Sequence, residues 1–283
     1  MECMLSLIVC STRSSLLHRL KQNVASTIGE IKYEWVVIDN SKGSHSIFEA
    51  YNEGVRKSVG GWLCFVHEDV EFQQINWGGV LSKWLKVDKL GCVGFGGAHM
   101  LPDAPMYWSM TPYISEYCQH NDHGRVYDCI HTDYFKEDMI DVSAVDGFCM
   151  FMPRDVFKFV CWDEKYYSGF HAYDMDICMQ LLQAGYRVCV NRELLVMHYW
   201  AESEMLKKQG SESFYENMRK FYEKWHKSLP IVRGIELNKQ QIDLTNSLSQ
   251  MAVESYMIRE SLAYRLGKAI LHPSKENIKR LLK

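Results

Sequence analysis

The sequence predicts an α/β domain over residues 1–200, followed by a helical extension over residues 201–283. In the first part, short apolar runs alternate with segments whose apolar residues recur at helical spacing. This alternation is typical of a mostly parallel sheet with helices on both faces. From about residue 201 onward only helical spacing is found, and this change sets the predicted boundary.

Each of the first three apolar runs ends in polar residues. The run LSLIVC leads into residues 11–13 (Ser-Thr-Arg), WVVI into Asp39, and WLCFV into residues 67–69 (His-Glu-Asp). In parallel sheets, ligands bind where the carboxyl ends of the strands meet the loops, so we expect these three sets on one edge. An unpaired buried carboxylate costs several kcal/mol. The end of WLCFV must therefore lie in water or hold something positive.

Composition limits the classes of function. The ten cysteines include no CxxC pair, which favours reduced thiols in the core of a cytoplasmic protein. No stretch reaches the ~18–20 apolar residues that span a bilayer. The N-terminus lacks a basic leader, so it is predicted to be the first strand and not a signal peptide.

Charge is uneven along the chain. Residues 264–283 are strongly basic, whereas the chain as a whole carries a formal charge of −3. An acidic body argues against nucleic-acid binding. The basic amphipathic end at 262–283 is a candidate contact with the anionic inner face of the cell membrane.

The helical extension contains a seven-residue repeat of apolar residues. The repeat consists of Leu237, Leu244, Met251 and Ile258, with a second row at Leu248 and Leu262. Such a repeat predicts a packing seam, either against the body or against a second copy of the chain in a homodimer.

The order of five segments resembles a known family. LSLIVCSTR, VVIDNSKG, AYNEGVRKSVGGWLCFVHEDVEF, VDGFCMFMPRDVF and FHAYDMDICMQLLQAGYRV resemble the GT-A fold, family 2-like glycosyltransferases that use nucleotide-diphospho-sugars. The resemblance covers about residues 4–200, and the tail SLAYRLGKAIL is similar to the ends of bacterial polysaccharide-assembly enzymes. It implies an inverting, metal-dependent enzyme. The implied donor is a nucleoside-diphosphate sugar of UDP type, and the acceptor is a glycan or a lipid-linked hydroxyl.

The resemblance also implies a metal site. HED stands at the family's DxD motif, whose final Asp usually binds Mn²⁺ or Mg²⁺ at the leaving diphosphate, so Asp69 is the expected ligand. His198, after the last strand, is expected to complete the site. His67 replaces the first Asp of the motif, and we expect it to touch the ribose of the nucleotide or a water molecule. Glu68 is expected to point away or to pair with a basic group.

Further residues are implied to bind the nucleotide or to carry the chemistry. The nucleotide contacts are Ser11, Thr12, Arg13, Asp39 and Asn52. The catalytic base is Asp174, with His171 as the alternative, because Tyr173 stands where the family has Glu. Asp176 is expected to cap the helix.

Asp146 and Gly147 are implied to line the cleft for the donor sugar and the acceptor. Residues 98–141, rich in Tyr, Trp and His, lack periodicity and are predicted to form a long binding loop. Zinc ligation by His120, His123 and His131 is the alternative for this segment, but no Cys or acidic pattern completes a set at helical spacing.

Two other functions fit parts of the sequence. A non-catalytic scaffold of the same fold would explain the departures at His67 and Tyr173. A sugar nucleotidyltransferase would need a glycine-rich phosphate loop after the first strand, and CSTRSSLLHRL contains no glycine.

Overall fold

The computed structural model describes residues 4–122, 124–131, 135–199 and 204–260. In chain order, the strands are β1 (Met4–Ser11), β2 (Lys32–Asp39), β3 (Trp62–Val66), β4 (Val70–Phe72), β5 (Leu90–Gly94), β6 (Gly96–Ala98), β7 (Met100–Leu101), β8 (Ile114–Asp122), β9 (Arg125–Ile130), β10 (Met139–Asp141), β11 (Ala144–Val145), β12 (Cys149–Pro153), β13 (Arg187–Asn191), β14 (Val196–His198) and β15 (Ile231–Val232). The α-helices are α1 (Ser14–Thr27), α2 (Ile47–Lys57), α3 (Leu81–Trp84), α4 (Tyr173–Gln183), α5 (Glu204–Trp225) and α6 (Lys239–Glu260).

The main sheet confirms the predicted α/β class. Its seven strands within the described ranges lie in the order β10-β13-β5-β12-β3-β1-β2. The strands β3, β1 and β2 are parallel neighbours, as are β5 and β13. β12 runs antiparallel to both β3 and β5, and β10 antiparallel to β13. The chain reaches β12 from a second sheet through β11, without the helical crossover that a parallel strand needs.

Helices cover both faces of this sheet. Leu63 and Phe65 of β3 join the apolar cluster under α2 and α4, whereas Trp62, Cys64 and Val66 join the cluster under α1 and α3. Because β3 is buried on both faces, its sequence is an uninterrupted apolar run. The strand therefore fixes the position of the polar residues that follow it.

The prediction of a long loop at residues 98–141 is wrong. Much of this segment forms strands of a second sheet, in which the described strands lie in the order β11-β6-β8-β14-β4, with β9 paired to β8. β8 and β9 are an antiparallel hairpin whose side chains are half-buried or exposed at most positions. Weak burial leaves weak periodicity, so the hairpin does not stand out in the sequence.

The helix α5 is joined to α4 through Asp176. The carboxylate accepts a hydrogen bond from Trp225 Nε1 at 2.7 Å and pairs with Lys224 Nζ at 2.9 Å. It also accepts one from the Tyr167 hydroxyl at 3.1 Å. The expectation that Asp176 caps its own helix is wrong, because its oxygens face α5 and not the start of α4.

The helix α6 packs on the body through its polar face. Thr245 and Ser249 are buried, and Asn246 Oδ1 accepts a hydrogen bond from Asp103 N at 3.0 Å. Three members of the predicted seam are more than half exposed: Leu244, Leu248 and Met251. The helix therefore packs on the body as one alternative expected, but not through these three residues, and pairing with a second copy stays a prediction. The basic end at 262–283 lies outside the described residues. Within those residues, no helix has the length and apolar character needed to cross a bilayer.

Candidate active site

The ends of the first three strands lie together, as the sequence predicts. Ser11 at the end of β1 is in register with Asp39 at the end of β2, and Ile8 of β1 with Phe65 of β3. Asn40 N donates to the Ser11 carbonyl oxygen at 2.7 Å, which continues the pairing into the loop. The polar residues after these strands therefore share one edge of the sheet.

Glu68 holds the loop between β1 and α1. Its carboxylate accepts hydrogen bonds from the hydroxyls of Ser11 and Thr12, both at 2.7 Å, and from the amides of Thr12 and Arg13, both at 3.1 Å. Glu68 is only 7% exposed, and its Oε1 lies 3.9 Å from Nε of Arg13, so the expected pairing with a basic group is found. A carboxylate at these amides suits the positive end of α1. The Ser11 and Thr12 hydroxyls are thus engaged, whereas the Arg13 side chain remains about a third exposed (32%).

The two other predicted nucleotide contacts differ in their surroundings. The Asp39 side chain is exposed and accepts a hydrogen bond from Ser41 N at 2.9 Å, which holds the pKa of the carboxyl below its usual value. Asn52 instead donates to the Trp162 carbonyl and to Glu164, both at 2.7 Å. Both amide hydrogens of Asn52 are committed to this segment, which argues against the predicted contact with a nucleotide.

Three side chains at the end of β3 could hold a cation. One ligand atom from each of His67, Asp69 and His198 lies within 4.8 Å of the others. β14 brings His198 there by pairing with β4, and Nε2 of His198 lies 3.5 Å from Oδ1 of Asp69. Asp69 and His198 are 4% and 8% exposed. The ring of His198 stacks on Phe148, with the ring centres 4.5 Å apart.

The donor set of this cluster fits a divalent cation. Nδ1 of His198 is buried and has no hydrogen-bond partner among the described residues, as expected of a nitrogen that binds something absent from the chain. Burial lowers the pKa of His67 to about 4, so the ring is neutral, as metal ligation requires. Burial opposes ionisation of Asp69, but the hydrogen bond and charge of His198 outweigh it and lower the pKa of the carboxyl.

His67 is also bonded to Tyr173. Its Nε2 lies 2.8 Å from the Tyr173 hydroxyl, which leaves Nδ1 as the ring nitrogen available to a cation. Gly147 makes room for this contact, because a Cβ at position 147 would lie 2.2 Å from the Tyr173 hydroxyl oxygen. The expectation that Gly147 admits substrate is corrected: the space above it is filled by Tyr173.

Asp174 is a buried carboxylate suited to exchanging a proton near neutral pH. It is 2% exposed, and it accepts hydrogen bonds from the Tyr107 hydroxyl and from Met175 N, both at 2.8 Å. Burial, and then the charge of Asp146, raise the pKa of Asp174 to about 7. The half-buried Asp146 also has a raised pKa, chiefly through burial. A base works best when its pKa lies near the operating pH.

His171, the alternative base, faces a different element. Its ring packs edge-to-face on Phe214 of α5, with the ring centres 5.0 Å apart, and burial lowers its pKa. Of the two candidate bases, His171 thus contacts α5, whereas Asp174 is the one close enough to Asp146 for its charge to raise the pKa of Asp174. Sequence reasoning missed Tyr107, which bonds Asp174; it lies in the segment that was expected to be a loop.

Comparisons with known proteins agree on a family and a fold. The family described as "Glycosyltransferase like family" matches residues 6–225. The structure of S. aureus TarS 1–349 in complex with UDP-GlcNAc aligns over 99% of this chain and 78% of its own, with a TM-score of 0.50 and 12% identity. GalNAc-T7 with UDP, GalNAc and Mn²⁺ aligns over 70% of this chain, with a TM-score of 0.48 and 13% identity; the match spans 43% of the GalNAc-T7 chain. The catalytic domain of Drosophila β1,4-galactosyltransferase 7 with xylobiose aligns over 68% and 66%, with a TM-score of 0.41 and 14% identity. No curated protein sequence matches the chain.

Proposed function

The chain belongs to the glycosyltransferase like family and has the GT-A fold, and from that premise we propose that it is an inverting, metal-dependent transferase. It moves a sugar from a nucleoside-diphosphate donor to a hydroxyl of a glycan or of a lipid-linked acceptor. The observation that carries the proposal is the cluster of His67, Asp69 and His198 at the end of β3, whose ligand atoms lie within 4.8 Å of one another.

The metal would be held by one carboxylate and two imidazoles. A bound divalent cation stabilises the charge that develops on a leaving diphosphate. Imidazole is a poor ligand for Mg²⁺ and is accepted more readily by transition metals, so this donor set favours Mn²⁺ over Mg²⁺. Asp69 supplies the anionic oxygen, and the stacking of Phe148 on His198 fixes the orientation of that ring.

The nucleotide would lie over the ends of β1 and β2. The exposed Asp39 carboxylate suits a ribose hydroxyl or a base, and the partly exposed Arg13 guanidinium suits the diphosphate. Glu68 supports the position of Arg13 by fixing the backbone of the loop that carries it. A uridine diphosphate sugar is the donor to test first, since the similar fold of TarS was solved with UDP-GlcNAc.

Asp174 would act as the base that takes the proton of the acceptor hydroxyl. Direct displacement with inversion needs a base on the face of the sugar opposite the leaving group. The hydrogen bond from Tyr107 orients the carboxylate, and a pKa of about 7 lets the carboxylate accept a proton near neutral pH and release it again. Asp146 would line the same cleft.

The test is a screen for hydrolysis of nucleotide sugars, which needs no acceptor. Each donor is incubated with the chain in Mn²⁺, in Mg²⁺ and in a chelator, and the released nucleoside diphosphate is measured. We expect turnover in Mn²⁺ that is lost with the chelator and in Asp69→Asn. The matched control is Asp155→Asn, which replaces an exposed carboxylate paired only with Lys158 among the described residues.

Two outcomes would contradict the proposal in different ways. Metal-dependent binding of a nucleotide without turnover of any donor would favour the non-catalytic scaffold. No metal-dependent binding of any nucleoside diphosphate by calorimetry would remove the metal site as well. Once a donor and an acceptor are identified, NMR of the product's anomeric carbon tests inversion.

A further inference from the structure

The hairpin of β8 and β9 brings five metal-ligating side chains to one face. Glu116, Cys118 and His120 alternate along β8, so their side chains point to the same side. Cys129 is in register with Cys118, and His131 N donates to the Glu116 carbonyl oxygen at 2.9 Å. The two strands therefore place Cys129 and His131 opposite the three residues of β8.

Some of the distances within this set are those expected for ligands of one ion. One ligand atom from each of Glu116, His120 and Cys129 lies within 4.8 Å of the others. Cys118 Sγ lies 3.6 Å from His120 Nε2. Bonds of ~2.3 Å to sulfur and ~2.0–2.1 Å to nitrogen place two ligands of a tetrahedral zinc about 3.6 Å apart. The Cys118–His120 separation is thus already that of two ligands on one ion.

The outer contacts also fit a metal site. Nδ1 of His131 lies 2.9 Å from Oε2 of Glu116, so the imidazole orients the carboxylate as an outer partner of a ligand commonly does. Cys118 is 1% exposed and the Glu116 side chain 15%, whereas the His131 side chain is 59% exposed. Cys118 is thus shielded from water, His120 and Cys129 are half-buried, and the cluster stays open on the side of His131.

We propose that Glu116, Cys118, His120 and Cys129 form a structural zinc site, distinct from the cluster of His67, Asp69 and His198. Thiolate ligands select zinc over Mn²⁺ and Mg²⁺, and four protein ligands close the coordination sphere. Binding releases the protons of the two thiols.

The strand spacing explains why helical spacing did not reveal this set. The histidines at 120, 123 and 131 lacked Cys or acidic partners at helical spacing. Those partners, Glu116 and Cys118, lie instead at the two-residue spacing of a strand that ends near His120. His123 lies outside the described residues and is not needed. The zinc site would stabilise the structure beside the candidate active site, because the ring centres of His120 and His198 lie 5.6 Å apart.

Cobalt absorption tests the proposal independently of enzyme activity. Reduced, metal-free protein is titrated with Co²⁺, which gives a thiolate-to-metal charge-transfer band only where sulfur is a ligand. We expect a band that corresponds to one ion per chain and is displaced by Zn²⁺. Cys129→Ser should abolish it, whereas Cys161→Ser, at an exposed cysteine, should leave it unchanged. Asp69→Asn should also retain the band, because the cluster at Asp69 contains no thiol.

A second measurement on the unmodified chain guards against misfolding of the Cys129 variant. Zn²⁺ should protect Cys129 from alkylation, as read by mass spectrometry of peptides, whereas Cys161 stays reactive.

His131→Ala should weaken Zn²⁺ binding by ~10–100-fold, as expected of an outer partner. The proposal is overturned if the band is absent or survives Cys129→Ser, if Zn²⁺ does not protect Cys129, or if Cys118 and Cys129 form a disulfide under the same reducing conditions.

Discussion

The hydroxyl of Tyr173 lies 2.8 Å from Nε2 of His67, so the two residues that depart from the glycosyltransferase pattern contact each other. The pattern has an acid at both positions, and two carboxylates at this distance would repel each other. Burial lowers the pKa of His67 to about 4 and raises that of Tyr173, so both groups are neutral at pH 7. Because Nδ1 of the neutral ring must be unprotonated to bind a cation, the ring proton lies on Nε2, which donates it to the hydroxyl oxygen of Tyr173. The two departures form one compatible pair, and neither needs to signal lost function by itself.

Replacing Tyr173 by Phe tests whether this bond supports the metal site. The ring stays, so we expect a loss of only about 1 kcal/mol in the free energy of unfolding. His67 loses the partner that fixes its ring, and such outer contacts are worth ~10–100-fold in metal affinity. Mn²⁺ binding should weaken by that factor in calorimetry.

Tyr51→Phe is the matched control. The ring of Tyr51 lies 5.7 Å from that of Tyr173, and its hydroxyl is buried with no hydrogen-bond partner among the described residues. Its removal should leave Mn²⁺ binding unchanged and stability equal or higher. Equal Mn²⁺ affinity in Tyr173→Phe and in the wild type would show that the hydroxyl does not position His67.

Asp174 should give the transfer reaction a pH dependence. Its pKa of about 7 means that the rate falls as pH drops below 7, because the protonated carboxyl cannot accept a proton. Asp174→Asn should lower the rate by ~10²–10⁴-fold and abolish this limb of the pH profile. An unchanged profile in the variant would assign the base elsewhere, with His171 the next residue to replace.

Asp174 should also make the stability of the fold depend on pH, but in the direction opposite to that of the rate. Because the folded-state pKa is raised from 3.8 to about 7, the folded chain binds more protons than the unfolded chain between these values. Stability therefore falls as pH rises through this window, by about 2–4 kcal/mol for this residue alone. Denaturant unfolding at pH 5 and pH 8 should show Asp174→Asn stabilised relative to wild type at pH 8, with a smaller difference at pH 5. A difference that does not change with pH would contradict the raised pKa.

Glu68→Gln should loosen the loop that carries Arg13. The amide keeps one oxygen for the donors of residues 11–13 but turns an NH₂ group toward the others, so we expect a loss of about 2–3 kcal/mol. Hydrogen exchange at the Thr12 and Arg13 amides should speed up, and nucleotide binding should weaken. Glu236→Gln, at an exposed glutamate, is the control. Unchanged exchange at these two amides would show that Glu68 does not hold the loop.

The strands that carry the site, and the polar residues at their ends, can be predicted because both follow from local sequence patterns. A buried strand such as β3 is a run of apolar residues, and the polar residues after it mark its end, so the edge shared by residues 11–13, Asp39 and residues 67–69 follows from chain order. The family resemblance then identifies Asp69 and His198 as candidate ligands. They are more than 120 residues apart in the sequence, and in the structure Nε2 of His198 lies 3.5 Å from Oδ1 of Asp69.

What the sequence did not predict depends on partners that are distant in the chain. Glu68 binds residues 55 to 57 positions earlier, and Asn52 binds Trp162, which is 110 positions later. No local period marks such pairs, and the same polar residues would suit a solvent-exposed loop or a nucleotide. The hairpin of β8 and β9 was missed for a related reason, because half-buried strands show little alternation of apolar and polar residues.

Asp176 and Asp155 offer a direct comparison of a buried and an exposed ion pair. Asp176→Asn weakens contacts to Trp225 and Lys224 that join α5 to α4, and the carboxylate side chain is only 1% exposed. We expect a loss of about 2–4 kcal/mol, measured by denaturant unfolding. Asp155→Asn removes the partner of Lys158, whose side chain is 70% exposed, and should leave the unfolding midpoint unchanged. Equal effects of the two substitutions would show that α5 is held by its other contacts.

The exposed apolar row on α6 predicts a dimer of this chain. Leu244, Leu248 and Met251 are 58%, 57% and 63% exposed, while Thr245 and Ser249, on a neighbouring face of the helix, are buried on the body. Leu244 and Met251 are seven residues apart, which keeps them on one stripe that a second helix can cover. Light scattering should therefore give twice the chain mass of 33.1 kDa. Replacing Leu244 and Met251 together by Gln should return the monomer mass, whereas Gln240→Glu, at an exposed polar position, should not. A wild-type chain that stays monomeric at micromolar concentration would contradict the dimer and would leave this row exposed to solvent.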